Sequence, residues 1–187
     1  YHEVPETDWS GSRIERYERL VRLHAREIQQ FLLKMCGNVD DAEELAQDVF
    51  VKAYRKLETL REARAARRWL YRIAVNRFHD WVKPRRRQAA KQVEGLELDP
   101  PARPTGDPEQ RAMARELSDW LDDAIELLPQ RQRTVLVLHS IRGFDYQAIA
   151  EVLGISSDAV KMSLFHAREK LRLSLIHISE PTRLEPI

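Results

Sequence analysis

The sequence predicts an all-α protein: two small helical domains joined by a flexible linker, the second containing a helix-turn-helix. Apolar residues recur at helical spacing through both patterned halves, and no run of alternating apolar and polar residues is long enough to argue a sheet. Between the halves lies a stretch holding Pro100, Pro101 and Pro104 with few large apolar side chains. At 187 residues and 43% hydrophobic, the chain can build a core in each half.

The first helix is expected at 14–35, with Leu20, Leu23, Ile28, Phe31 and Leu32 available for a core and Gly37-Asn38 as its stop. Asp40 should cap the second helix, with Glu43 three residues on closing a capping box, and that helix should run over about 41–57. A connector, 58–66, leads to a third helix over about 67–82. It should end at Lys83-Pro84, because the ring disfavours helical backbone in the residue before it. The first domain is therefore set at 13–87 and the flexible linker at 88–106. Asp107-Pro108-Glu109-Gln110 opens the second domain, 107–172, with Asp as the cap and Pro at the first helical position. Further helices are expected at about 130–141, 146–153 and 157–172.

The ends of the chain read differently. There is no starting Met, as expected of a fragment. Residues 173–183 read LSLIHISEPTR, which resembles the translation of a transposon adapter used in sequencing libraries, so 173–187 is read as a non-native, adapter-derived tail.

Composition excludes several classes. Cys36 is the one cysteine, so an internal disulfide and a multi-cysteine zinc site are ruled out, and a reducing cytoplasm fits. No stretch approaches the roughly 20 uncharged apolar residues of a membrane span, so no membrane insertion is expected. Residues 1–12 carry acids where a secretion signal carries bases, which again points to a cytoplasmic location. The six His residues show no metal-ligand spacing, and neither a phosphate-cradling glycine loop nor a nucleophile elbow is present. The expectation is a protein that is not an enzyme, with no metal, no cofactor and no catalytic residue.

The net charge of +1 hides a polarity along the chain. Residues 13–87 carry 19 Lys and Arg against 11 Asp and Glu, 92–127 carry 3 against 10, and 129–172 carry 7 against 4. Two basic blocks around an acidic one suggest two nucleic-acid-facing modules and a spacer that does not compete for phosphate.

Three helical faces carry the candidate chemistry. On helix two, Ala42, Leu45, Ala46, Val49, Ala53 and Leu57 share the inward face. Opposite them run Glu44, Gln47, Asp48, Val51 and Arg55, with Phe50 and Tyr54 at the edge, a strip that by spacing alone reads as a solvated face. On helix three, Leu70, Ile73, Ala74, Arg77 and Trp81 face inward, while Trp69, Arg72, Asn76, His79 and Lys83 form the other row. An aromatic plane, cations and an amide in one row suit stacking on an unpaired base, holding phosphates and reading a base edge. A Trp beside Arg is also the ordinary signature of partial core with a snorkelling cation. In the last pair of helices, Ala150 permits close approach and Gly154 the positive φ of the turn. Val160, Leu164, Ala167 and Leu171 form the buried stripe, leaving Lys161, Met162, Phe165 and His166 outward with Arg168 at the flank. Such a helix can enter a major groove.

Three segments, DDAEELAQDVFVKAYRKL, WLYRIAVNRFHDW and LPQRQRTVLVLHSIRGFDYQAIAEVLGISSDAVKMSLFHAREKLR, resemble the extracytoplasmic-function (ECF) sigma factors of bacterial RNA polymerase. In order and separation they match that family's regions two and four, over about 14–172. The resemblance implies core RNA polymerase and promoter DNA as partners, and an anti-sigma factor as a regulator. It implies that Glu44, Gln47, Asp48 and Tyr54 dock on the polymerase clamp helices. Asn76 falls where the family holds a flipped-out promoter base, and Trp69, Arg72, Arg85, Arg86 and Arg87 would lie against the opening −10 duplex. Lys161, Met162, Phe165, His166 and Arg168 fall where the family reads the −35 groove, and the acidic linker would thread the RNA exit path. Leu60 and Ala66 stand where many members have Phe, and Met162, Ser163 and His166 replace the usual Ser and Arg. The alternative is a helix-turn-helix regulator that binds duplex DNA without core polymerase.

Overall fold

The computed structural model describes residues 9–92, 121 and 123–179, with the side chains of 86–92 and 175–179 outside that description. No strand occurs among the described residues. They form two compact units, one carrying the helices up to Gln92 and the other most of the structure after it.

The first unit opens with α1, Arg13–Cys36. Ser12 caps it: its hydroxyl accepts from the Glu15 N–H at 3.3 Å while the Glu15 carboxylate accepts from the Ser12 N–H at 2.7 Å, a reciprocal capping box. Gly37 ends the helix at φ 72°, a left-handed conformation a side chain would strain, with its N–H bonded to Leu33 O at 2.8 Å. The next helix, α2, is Val39–Lys56, and its cap is Asn38 rather than Asp40. Asn38 is extended and accepts from the Asp41 N–H at 3.0 Å, which places Asp40 and Asp41 in the first turn against the positive end of the helix dipole. Gly37 reverses the chain so tightly that Asn38, two residues before the expected cap, is already in position.

Two short 3-10 turns, Leu57–Thr59 and Ala63–Ala65, carry the connector, pinned by the buried Leu57 and Leu60. The Trp9 indole donates to Leu60 O at 2.9 Å. Then α3 runs Ala66–Gln92, through Pro84. The expected stop at Lys83-Pro84 does not occur, so the first five residues assigned to the linker are helical. The contacts around the proline supply the reason. Arg85 stacks over the Trp81 ring at 3.7 Å, reaches Asp41 of α2 at 3.3 Å and donates to Trp81 O at 3.5 Å, while Lys83 pairs with Asp80 at 3.2 Å. These hold the chain on its helical course past a residue that removes one ladder bond. The remaining linker positions, 93–106, and the expected cap at 107–110 lie outside the described residues.

Leu20, Ile28, Phe31 and Leu32 of α1, Val49 and Ala53 of α2, and Leu70, Tyr71 and Ala74 of α3 are fully buried. Phe31 meets Tyr71 edge to face at 5.1 Å. Leu23, expected in this core, is 44% exposed, and Met35 takes its share. On a 100° wheel Leu23 sits about 110° from the centre of the buried stripe, whereas Met35 falls near that centre.

Glu27 braces α1 to α3. Its carboxylate lies 2.7 Å from His24 Nδ1, accepts from Arg67 at 3.0 Å and lies 3.5 Å from the Tyr71 hydroxyl. Burial pushes its pKa up, but the hydrogen bonds and charges of His24 and Arg67 together outweigh that and hold it below 4.5. A depressed carboxylate contributes stability above its unfolded pKa and loses it as pH falls through the lower folded value. Glu27→Gln is therefore expected to destabilise this unit by about 1–2 kcal/mol at neutral pH and to flatten its acid limb below about pH 4.5. Urea titrations at pH 7 and pH 3.5 check this; an unchanged midpoint at pH 7 would remove the brace.

In the second unit, residues 123–126 are helical, and α4, Gln130–Leu136, continues into a wider π-type turn, Val137–Ile141. Arg142 N bonds Val137 O at 3.0 Å and Phe144 N bonds Leu138 O at 3.0 Å, bringing buried Phe144 under the helix. Asp145 caps α5, Tyr146–Leu153, accepting from the Ala148 N–H at 2.7 Å. Ser156 caps α6, Ser157–Ser179, accepting from the Ala159 N–H at 3.1 Å. Between them Gly154 sits at φ 65° and Ile155 N bonds Ala150 O at 3.1 Å. The helix-turn-helix limits agree with the sequence, except that α6 continues past Arg172.

Candidate nucleic-acid interface

Burial on α2 sorts the expected strip into parts. Glu44, Gln47, Val51 and Arg55 are exposed. Asp48 is half-buried and ion-paired with Arg77 of α3, so its carboxylate ties two helices together inside the unit. Tyr54, 39% exposed, packs edge-on against Tyr17 at 5.0 Å, and the Arg13 guanidinium lies 4.6 Å over its ring. Phe50, placed by the sequence at the edge of the strip, is in the core.

Beside the strip, Tyr17, Val21 and Ala25 of α1 face Ala46, Gln47 and Val51 of α2 across a shallow groove. Sequence reasoning overlooked the α1 wall, although Tyr17, Val21 and Ala25 recur every four residues and so share one side of their helix. Burial, with a smaller contribution from Tyr54, raises the Tyr17 phenol pKa and keeps it neutral.

The α3 row is assembled as expected. Arg72 and Asn76 are exposed, Trp69 is half-buried beside them, His79 is half-buried and Lys83 exposed. Trp69 and Asn76 are seven residues apart, nearly two turns and about 10 Å along the axis, so one unpaired strand can span them. The inward side is wider than expected: Tyr71, Val75 and Phe78 are buried with Leu70, Ile73 and Ala74. Arg77 is half-buried against Asp48, and Trp81 stacks on Phe78 at 5.8 Å. Arg85 turns back onto Trp81 and Asp41 rather than joining the row. Arg86 and Arg87 continue the α3 backbone, and their side chains are outside the description.

On α6, Val160, Leu164 and Ala167 are buried as expected, Leu171 is half-buried, and Ser163 is buried with its hydroxyl donating to Ala159 O at 2.8 Å. That stripe fixes the rotation of the helix and leaves Lys161, Met162, Phe165, His166 and Arg168 all exposed. Lys161 pairs with Asp158 at 3.1 Å, and the Phe165 and His166 rings meet edge to face at 5.5 Å. Among the described residues no helix is long and apolar enough to cross a membrane, and no cluster of His, Cys, Asp or Glu could hold a metal ion.

Residues 20–88 match the Sigma-70 region 2 family and residues 118–171 the Sigma-70, region 4 family. The stretch between the two matches holds the acidic, proline-bearing segment. The chain is 32% identical over 158 residues to the ECF RNA polymerase sigma factor SigW of Bacillus subtilis, covering 81% of this chain and 84% of that one. It is 29% identical over 161 residues to the RNA polymerase sigma-H factor of Pseudomonas aeruginosa, covering 83% of each. Among solved structures, CnrH in complex with the cytosolic domain of CnrY aligns at a TM-score of 0.64 with 26% identity, over 88% of this chain and 90% of that one. The Bartonella quintana sigma factor RpoE, solved with the anti-sigma factor NepR, aligns at 0.70 over 86% and 97%; at 22% identity that likeness concerns the fold.

Proposed function

The chain belongs to the ECF RNA polymerase sigma factors, and we propose from that membership a division of labour among its three faces. Glu44, Gln47 and Tyr54 meet the polymerase, with the α1 wall of the groove completing the surface. Asp48 serves that surface from beneath, by fixing α2 to α3 through Arg77. Trp69, Arg72 and Asn76 receive the −10 strand as it leaves the duplex. Extruding a base costs a few kcal/mol, which stacking on Trp69 and hydrogen bonds from the Asn76 amide offset. Arg86 and Arg87 continue the same helix and extend it as a cationic arm toward neighbouring phosphates, while Arg85 supports them from its place on Trp81 and Asp41. In the second domain Lys161, Met162, Phe165, His166 and Arg168 enter the −35 major groove.

The domain limits stay at 13–87 and 107–172 in this reading, with the acidic segment between them following the RNA exit path. The chain acts in the cytoplasm without catalytic chemistry of its own, and an anti-sigma factor controls it by binding, in keeping with the Bartonella quintana sigma factor RpoE, whose solved structure is a complex with the anti-sigma factor NepR. The observation that carries the reading is the order on one chain of a region 2 match bearing the Trp69–Asn76 row and a region 4 match bearing an exposed recognition helix. Run-off transcription with purified core polymerase and a promoter library tests it. The expected result is discrete start sites only when this chain is present. A chain that shifts duplex DNA unaided yet confers no start sites would instead be a free-standing regulator.

A further inference from the structure

We propose that α6 reads DNA through thymine methyl groups: Met162 and Phe165 form an apolar pair that selects two closely spaced A·T pairs of the −35 element. This rests on α6 being the −35 helix and adds the chemistry it recognises. Met162 is 54% and Phe165 57% exposed, although the helix already buries its own stripe through Val160, Leu164 and Ala167. The two side chains are surplus to the fold. Three residues apart on one face, their Cβ atoms lie about 5–6 Å from each other, a span of one to two base steps. His166 packs its ring against Phe165 at 5.5 Å, so the aromatic side chain is supported in place.

The polar chemistry on this turn is thin. No arginine occurs between Ser157 and Ala167, so the guanidinium fork that reads guanine is missing from the part of the helix that faces base edges. The ammonium of Lys161 is paired with Asp158. The major groove offers one apolar group at a base edge, the thymine C5 methyl, and an exposed Phe and Met match it. An apolar protein partner is the other occupant such a pair could take. Exposed Arg168 and Lys170 follow on the same helix, and cations beside the pair favour a phosphate-lined groove over an apolar protein surface.

The test uses the full chain with core polymerase and a promoter library randomised across the −35 region. Each enriched thymine is then replaced by deoxyuridine, which removes the methyl alone. Thymine is expected at two positions no more than two steps apart, each deoxyuridine lowering output about fourfold, the worth of one buried methyl. Phe165→Ala is expected to erase the deoxyuridine effect at one position and Met162→Ala at the other. Both sites are exposed, so equal melting temperatures should confirm intact folding. Guanine enrichment, or output indifferent to deoxyuridine, would overturn the proposal and leave the pair to a protein partner, with the promoter-reading role intact because transcription occurred. No output from any fragment would sink the proposal together with that role.

Discussion

Asn76→Ala is expected to lower open-complex formation at least about tenfold while leaving affinity for core polymerase within about twofold, the size of a lost base-edge contact in a reading site. Asn76 is exposed in the middle of α3, and no hydrogen bond to another described residue holds its amide. Alanine is the better helix former, so the substitution should leave the first unit as stable as before or slightly more so. A loss of function therefore cannot be a loss of fold. The amide offers two donors and an acceptor, enough to engage the edge of an unpaired base, and the methyl of alanine offers none. The proposed polymerase surface is on α2, on which Asn76 does not lie. Permanganate reactivity of −10 thymines reports melting, and competition against a labelled sigma factor reports docking. Parallel losses in the two assays would take Asn76 out of the strand-reading row.

How far the sequence carried this reading depends on whether the deciding contact was local. Asp145, Gly154 and Ser156 each act through their own backbone or a neighbour three residues away, and the starts of both helices of the helix-turn-helix and the turn between them were legible, whereas the end of α6 was not. The Trp69, Arg72 and Asn76 row was legible because helical period alone generates it. Asp40 was expected to cap the second helix and Asn38 only to help stop the first; the left-handed turn at Gly37 gives the cap to Asn38 instead. Pro84 is the clearest failure. The local rule ends a helix there, yet Arg85 bonded to Trp81 and Asp41, a contact across 44 residues, keeps α3 going. The Asp48–Arg77 pair failed for the same reason, since wheel geometry places each residue on its own helix but does not show that they meet.

Ile149→Asp should separate the two halves of the molecule. Ile149 is fully buried in α5, in the core with Val135, Leu138 and Leu164. A carboxylate there finds no counter-charge on those side chains, and burying it unpaired costs several kcal/mol, comparable with the whole stability of a small domain. The second unit should unfold. The first unit keeps its own core around Phe31, Val49 and Tyr71, its capping box at Ser12 and its Glu27 brace, none of which depends on Ile149. The variant is therefore expected to lose −35-dependent run-off transcription by about a hundredfold or more, while a cooperative helical melting transition from the first unit survives. Docking on core polymerase should weaken but persist, because α2 is intact. Amide hydrogen exchange localises the damage: protection should vanish over 130–172 and remain over 20–82. If protection disappears along the whole chain, the helices form one cooperative body, and the assignment of separate −10 and −35 domains at 13–87 and 107–172 fails.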